Sequence, residues 1–293
     1  RGCDTSDSYG GSIKVAPKTR FLILVPDGAA DHALDELDGQ TPLQAARTPH
    51  MDRLAAGGKG GLVQMIPPSR PPGSDVGNLE IFGYDTTQYY TGRAPLEAAS
   101  MGLNMGPEDI AFRCNLVYSE GDTLVDYSAG HIETEEGRIL VEQVGAALGT
   151  EAIRFFPGVG YRHIMVFRGG PERLVSYPPH DIMGQSANAH LPTGEGVEII
   201  HDLMERAKPI LAAAPTNLER SNRGERPANG IWLWGEGRPL ELPSAKERYG
   251  LQAAVISAVD LVRGIGACAG YEVIDVPGIT GYLDTNYEGK AQF

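Results

Sequence analysis

The run Phe21-Leu22-Ile23-Leu24-Val25-Pro26 constrains this chain most. Consecutive apolar residues without alternation read as a strand buried on both faces, as in a parallel sheet. The run ends in Asp27-Gly28-Ala29-Ala30-Asp31. Asp27 is therefore expected at the carboxyl end of a first strand, the edge where open α/β sheets hold ligands. Thr48-Pro49-His50-Met51-Asp52 reads as a helix start, with Thr48 as N-cap, Pro49 at the first helical position and Gly57-Gly58 as the stop. Gly61 to Met65 reads as a second short strand. A Pro-rich loop, Ile66 to Gly73, then delivers Ser74 to the start of a helix over Ser74 to Phe82.

From about Thr91 the texture changes. Ala111 to Val117 and Thr123 to Asp126 flank Glu120-Gly121-Asp122, the turn chemistry of a hairpin. A helix over Glu133 to Leu148 follows, then a second hairpin, Ile153 to Pro157 and Tyr161 to Phe167, around Gly158-Val159-Gly160. Two hairpins around a helix predict an α+β unit with an antiparallel sheet. A helix from Gly194 to Ala213 closes that unit. Gly230 to Gly235 returns to the buried-strand style, and Ala253–Ser257, Val259–Ala269 and Tyr271–Val276 read as a β–α–β unit. The expected fold class is thus α/β, a parallel sheet flanked by helices, with an inserted α+β domain. Residues 21–90 and 225–293 form the first domain and 91–224 the insertion. Residues 1–20 carry no signal-peptide pattern and are expected to be a disordered lead-in.

The net charge of −13 argues against nonspecific binding to nucleic acid or anionic membranes, which needs basic surface. An anionic substrate then requires a local cluster of Arg or Lys. The 3 cysteines, Cys3, Cys114 and Cys268, are far apart and form no CxxC pair, which suits a reducing cytoplasm. No stretch reaches the roughly 20 apolar residues of a membrane span.

Ser74 and Asp27 carry the sharpest chemical reading. A serine hydroxyl needs a base or a metal to act as a nucleophile. A helix start offers backbone N–H groups to a phosphate, and a strand-end Asp suits a hard divalent cation. On local physics alone, the commoner use of such a serine is as a helix cap and of such an Asp as a turn residue. Arg93, Arg113, Arg162 with His163, Arg220, Arg223 and Arg226 are candidates for phosphate or carboxylate recognition, since the guanidinium fork binds oxyanions bidentately. A single Arg is more often a solvated charge. His180-Asp181, in a Pro-stiffened loop, reads equally as a general acid/base with its orienter or as a turn. Asp126 to His131 is a polar cluster at a hairpin end. Trp232 and Trp234 alternate in a strand and read most simply as core.

A series of motifs resembles one family. PGSD (72–75) followed by FGYD (82–85), GR-P-EA (92–98), PAN-IWLWG (227–235) and VPG-TGY-DTNY-GK (276–290) looks like the archaeal-type cofactor-independent phosphoglycerate mutases of the alkaline phosphatase superfamily. The likeness runs over residues 21–290. It implies a phosphatase-like domain with two divalent cations, Mn2+, Mg2+ or Zn2+, and no need for bisphosphoglycerate. It implies that Ser74 accepts the phosphoryl group of phosphoglycerate and returns it to the other hydroxyl of glycerate. Asp27 and Ser74 would be metal ligands, and Arg93, Arg113, Asp126, Arg162, His163, Arg220 and Arg223 would bind substrate. The enzyme would be a cytoplasmic isomerase of glycolysis and gluconeogenesis, a monomer or small homo-oligomer, with no nucleic-acid or membrane partner.

Two departures stand against that pattern. The family's remaining metal ligands lie in a later Asp-Glu-Ala-Gly-His segment that this sequence does not contain, so the phosphatase-like domain is expected to lack its C-terminal part. Many members also carry Asp-Arg-Arg-Ala-Gly-Arg where this chain reads Asp126-Tyr127-Ser128-Ala129-Gly130-His131. That variant resembles a bacterial branch for which a homoserine kinase role has been proposed. The alternatives are therefore a related phosphotransferase on another small substrate, or a non-catalytic binding chain. No GxxxxGK[ST] loop supports a nucleotide site.

Overall fold

A computed structural model describes residues 20–293. The expected lead-in lies outside the described residues, apart from Arg20. The chain divides into two compact units, one ending at Gln64 and one running from Met65 to Phe293.

In the first unit, α1 spans Pro42–Ala45 and α2 spans Pro49–Gly57. Thr41 closes a capping box with Gln44 at the start of α1. Thr48 occupies the N-cap of α2 as expected, but its hydroxyl donates to Asp52 Oδ1 at 2.9 Å instead of accepting from the backbone. The two strands expected here do not form. Phe21–Val25 is unpaired and exposed, Leu22 at 81% and Leu24 at 74%, and Gly61–Met65 is irregular. A run of apolar side chains becomes a strand only when neighbours complete its ladder of N–H and C=O groups. Among the described residues, Phe21–Val25 has no paired strand beside it.

The second unit begins with α3 (Ser74–Ile81), α4 (Thr86–Tyr89) and α5 (Ala94–Ser100). Strands β1 (Asp109–Glu120) and β2 (Thr123–Asp126) come next, then α6 (Thr134–Leu148), β3 (Ile153–Phe156) and β4 (Arg162–Arg168). Helices α7 (Glu198–Ala213) and α8 (Pro215–Asn222) lead to β5 (Gly230–Gly237). The chain continues through α9 (Ala245–Tyr249), β6 (Ala254–Val255), α10 (Asp260–Cys268), β7 (Glu272–Val273) and α11 (Tyr287–Ala291).

Both expected hairpins form, as β1–β2 and β3–β4, and they join one antiparallel sheet in the order β2-β1-β4-β3. Strand β5 pairs antiparallel with β1, in this sheet and not in a parallel one as its sequence suggested. The domain boundary expected at residue 224 therefore cuts off a strand of the inserted sheet. A strand covered on both faces reads as continuously apolar whichever way its neighbours run, so composition did not reveal the direction. Parallel pairing does occur between β6 and β7 across α10, as the β–α–β pattern predicted.

The main core lies where α6 and α7 cover one face of the sheet. Leu140, Val141, Val144 and Leu148 from α6 meet Ile200, Leu203, Met204, Ala207 and Leu211 from α7, each set at helical spacing. They pack on Ile110, Phe112, Cys114 and Leu116, the even positions of β1. Ala94 and Ala98 of α5 pack with Ala111, Ile164 and Val166. Helix α10 lies against α5 so closely that a Cβ at Gly264 would overlap the Leu96 carbonyl.

Candidate functional site

Alternation along β1 separates core from chemistry. Arg113 sits opposite Trp234 of β5 and Ile164 of β4, while Asn115 sits opposite Trp232 and Arg162. Residues directly opposite share a face of the sheet. Arg113, Asn115, Arg162, Trp232 and Trp234 thus stand on one face, and His163, paired with Cys114, stands on the other.

Arg113 is 4% exposed, its guanidinium lies 4.4 Å from the Trp234 ring centroid, and its Nε is 2.9 Å from Glu97 Oε2. That Nε has no hydrogen bond of acceptable geometry despite the short distance. We take the contact as a Coulombic pair and not a directed hydrogen bond, because strength falls steeply with angle. Burial pulls the Arg113 pKa down to about 10, against the support of Glu97, which still leaves the side chain charged at neutral pH. Arg93 reaches the same carboxylate, Nε to Glu97 Oε1 at 3.3 Å, and lies over the same indole at 5.8 Å. Two guanidinium groups therefore share one carboxylate beside an aromatic plate.

Two backbone features bring Arg93 to this face. A Cβ on Gly92 would overlap the Glu236 carbonyl, so only glycine lets the strand and the loop cross here. Gly235, at φ 62°, turns the β5 backbone in the left-handed region between Arg93 and Arg113. His180 completes the group, with its ring edge-on to Trp234 at 5.7 Å and to Tyr127 at 5.9 Å. Burial lowers its pKa, and the charges of Arg93 and Arg113 add to that while Asp181 opposes it. The imidazole is thus kept neutral beside the arginines. Beneath Gly235, the Ser176 hydroxyl donates to Glu236 Oε2 at 2.9 Å and accepts from Gly235 N–H at 3.1 Å.

Ser74 is the first residue of α3, with Gly73 as the N-cap, so it is not the cap that local physics favoured. Its side chain is exposed, and its hydroxyl makes no hydrogen bond to the described residues. The buried neighbour Asp75 accepts from Val76 N–H at 3.0 Å and from the Tyr90 hydroxyl. Burial and the Asp75 charge raise the Tyr90 pKa, while Arg93 and Arg70 act on it in the opposite sense. Asp27 is exposed in the first unit. Both side chains are hard oxygen donors of the type divalent cations take. Among the described residues, no group of three or more His, Cys, Asp or Glu is placed to hold a metal.

The remaining candidates belong elsewhere. Arg220 is 2% exposed and braces the loop after β2, donating to Ala129 O at 2.9 Å and Arg226 O at 3.1 Å and pairing with Glu136. Arg223 bridges Glu136 and Glu225. Asp126 accepts from Ser128 N–H at 2.8 Å, Gly130 N–H at 3.1 Å and Arg226 Nη1 at 2.8 Å, and its carboxyl stays below the usual range because these bonds outweigh its burial. His163 Nδ1 accepts from Gly158 N–H at 3.0 Å, and burial lowers its pKa to about 3. The structure therefore gathers Arg93, Arg113 and Arg162, and assigns Asp126, Arg220, Arg223 and His163 visible structural partners. Glu97, Trp234, Tyr127 and Asn115 went unnoticed as site residues. Only the β1–β5 register, invisible in the sequence, could have drawn attention to Trp234.

Comparisons with known proteins place this arrangement. The fold is mixed α/β, of the kind seen in cofactor-independent phosphoglycerate mutases. A Thermoplasma acidophilum cofactor-independent phosphoglycerate mutase structure aligns with a TM-score of 0.56 at 28% identity, over 86% of this chain and 68% of that one. A Pyrococcus horikoshii protein structure aligns with a TM-score of 0.72 at 31% identity, over 91% of this chain and 64% of that one. Residues 55–217 match the family model described as 2,3-bisphosphoglycerate-independent phosphoglycerate mutase. A probable enzyme of that name from Geobacter sulfurreducens is 54% identical over 92% of this chain, and one from Methanosarcina acetivorans is 50% identical over 93%. The chain belongs to the 2,3-bisphosphoglycerate-independent phosphoglycerate mutases, a family of isomerases. It spans 69% of the length of those two relatives and 64% of the Pyrococcus horikoshii chain.

Proposed function

We propose that this protein interconverts 3-phosphoglycerate and 2-phosphoglycerate without bisphosphoglycerate, by way of a phosphoserine at Ser74. The observation that carries the reading is the Arg93–Arg113 pair on Trp234, with Glu97 as its shared carboxylate, in a chain of net charge −13. Two cations against one anion leave a local positive excess, and guanidinium forks suit phosphate and carboxylate. The exposed Ser74 hydroxyl at the start of α3 supports its role as the acceptor. In the step proposed, Ser74 Oγ gives up its proton and forms a bond to phosphorus as the bond from phosphorus to the ester oxygen of phosphoglycerate breaks, and the leaving oxygen takes up the proton that the serine released. The reverse step places the phosphoryl group on the other hydroxyl. Neutral His180, beside the arginines, accepts or donates hydrogen bonds to the bound acid without adding charge.

Divalent cations, Mn2+, Mg2+ or Zn2+, belong to this proposal. Asp27 and Ser74 are each proposed as an oxygen donor to such an ion, whose charge would favour the serine alkoxide. An alkaline-phosphatase-like parallel sheet is proposed for the phosphatase-like domain, supported by the parallel β6–α10–β7 unit. A cytoplasmic location belongs to the same proposal; among the described residues no helix is long and apolar enough to cross a membrane.

Purified protein supplied with Mn2+ is expected to convert 3-phosphoglycerate to 2-phosphoglycerate with no bisphosphoglycerate present, and Ser74→Ala is expected to abolish it. Turnover by Ser74→Ala would remove the phosphoserine. ATP-dependent phosphorylation of homoserine, with no mutase turnover, would replace this reading with the kinase alternative.

A further inference from the structure

A cavity of about 410 Å³ opens between α4, the loop before β1 and the segment that follows β5. Gln88 and Tyr89 line it from α4, Thr91 from just beyond that helix, and Pro107 from the loop. Arg238, Pro239 and Glu241 complete the wall. The volume falls within the range of about 300–1,000 Å³ usual for small-molecule sites. None of Arg93, Glu97, Arg113, Arg162, His180 or Trp234 lines it. Its walls are set by backbone contact. A Cβ on Gly237 would overlap the Thr91 carbonyl, and the Thr91 hydroxyl donates to Arg238 O at 2.6 Å.

The charges around this wall leave one carboxylate unanswered. Arg238 is the cation of the lining, and Glu172 holds its guanidinium on two sides, with Nε to Oε2 at 2.8 Å. Its Nη1 donates to Pro107 O. Glu108 also acts on Arg238, and Arg173 acts on Glu172, so these four charges cancel. Arg248 lies over the Tyr84 and Tyr249 rings and is not in the wall. Glu241 has no hydrogen bond or ion pair with the described residues. The side chain of Gln88 and the Tyr89 hydroxyl make no hydrogen bond to them either. The apolar surface consists of stiff rings, Pro107, Pro239 and Tyr89, the last set edge-on to buried Tyr84 with centroids 5.9 Å apart. An aromatic ring beside a carboxylate is the combination that attracts an organic cation.

We infer that this cavity binds a primary organic ammonium ion, with its N–H groups on Glu241 and Gln88 and its apolar body among Tyr89, Pro107 and Pro239. One positive charge matches the one unanswered carboxylate. A carboxylate or phosphate would meet Glu241, while Arg238 is already held by Glu172. A bare divalent ion takes six or more oxygen donors, and this wall offers it a single carboxylate. The site goes beyond phosphoryl transfer and shares no residue with it, so occupancy is readable whether or not the protein turns over phosphoglycerate.

The test is an NMR titration of protein carrying ring-labelled tyrosine with benzylammonium at neutral pH. Benzyl alcohol and benzoate, its neutral and anionic counterparts, are titrated separately. Benzylammonium is expected to bind saturably and to show intermolecular NOEs to the Tyr89 ring, whose signals are identified by their absence from Tyr89→Phe. Glu241→Gln is expected to weaken benzylammonium by about tenfold or more, the loss of one charge-assisted hydrogen bond. Gln88→Lys, which sets a cation where the ligand's charge would lie, is expected to abolish binding. Both side chains are exposed, so both variants keep the fold. The inference is overturned if benzylammonium does not saturate or gives no NOE to Tyr89. It is also overturned if benzyl alcohol or benzoate binds there as tightly, or if either Glu241→Gln or Gln88→Lys leaves the affinity unchanged.

Discussion

Replacing Arg220 separates a structural arginine from a substrate-binding one. In Arg220→Met the side chain keeps much of its volume but loses every polar contact. Ala129 O and Arg226 O lose donors that now lie at 2.9 Å and 3.1 Å, and Glu136 loses its buried partner. Breaking a buried ion pair costs about 3–5 kcal/mol. The low end applies here, because Glu136 is partly exposed and keeps Arg223. A loss of about 3 kcal/mol, at about 2–4 °C per kcal/mol for a body of this size, lowers Tm by about 6–12 °C. Thermal unfolding followed by near-UV circular dichroism measures this directly. Glu136→Gln should cost less, and the double variant should cost less than the sum, because both changes remove one shared interaction. A Tm drop under about 2 °C would refute the bracing role. So would unchanged stability accompanied by weaker phosphoglycerate binding, which would return Arg220 to the substrate site.

Other outcomes follow from single features. Ser74→Ala should change stability by no more than about 0.5 kcal/mol in urea titrations, since its exposed hydroxyl has no protein partner. Gly264→Ala should destabilise by about 2 kcal/mol or more, because its methyl would press on the Leu96 carbonyl and part α10 from α5, again read by urea. His163 titrates near 3 in the fold against an ordinary value of 6.5, so the unfolded chain takes up the proton first. Its contribution to stability is full above pH 6.5 and is lost progressively toward pH 3. His163→Asn, which keeps an acceptor for Gly158 N–H, should flatten the decline in urea midpoint between pH 7.5 and pH 5.

Local patterns were legible where an element buries one face against its own neighbours. The spacing of Leu140, Val141, Val144 and Leu148 announced α6, and Gly121 marked the turn of the first hairpin. The β6–α10–β7 unit was equally plain. Non-local pairing was not. Phe21–Val25 has the composition of a central strand, yet a strand is a relation between segments, and composition names no partner. For the same reason β5 could not be assigned to its sheet. At the candidate site, a lone Arg looks alike in sequence whether it braces a loop, as Arg220 does, or faces an indole, as Arg113 does. Arg162 and His163 are adjacent in sequence, but the pleat sends them to opposite sides of the sheet, so a motif containing both could not tell which one shares a face with Arg113.

The long strand β1 has a consequence for how this protein tolerates change. Its even residues hold the hydrophobic core and its odd residues carry Arg113 and Asn115, so both sets are fixed by one phase of alternation. A single-residue insertion or deletion within Asp109–Val117 would turn the strand inside out, setting a guanidinium in the oil and a phenyl ring in the anion cradle. Drift can therefore explore the hairpin tips freely, while this stretch admits substitutions but not changes of length. Folding correctly and presenting the cradle are one event along β1, and a chain that achieved either without the other would need a different strand.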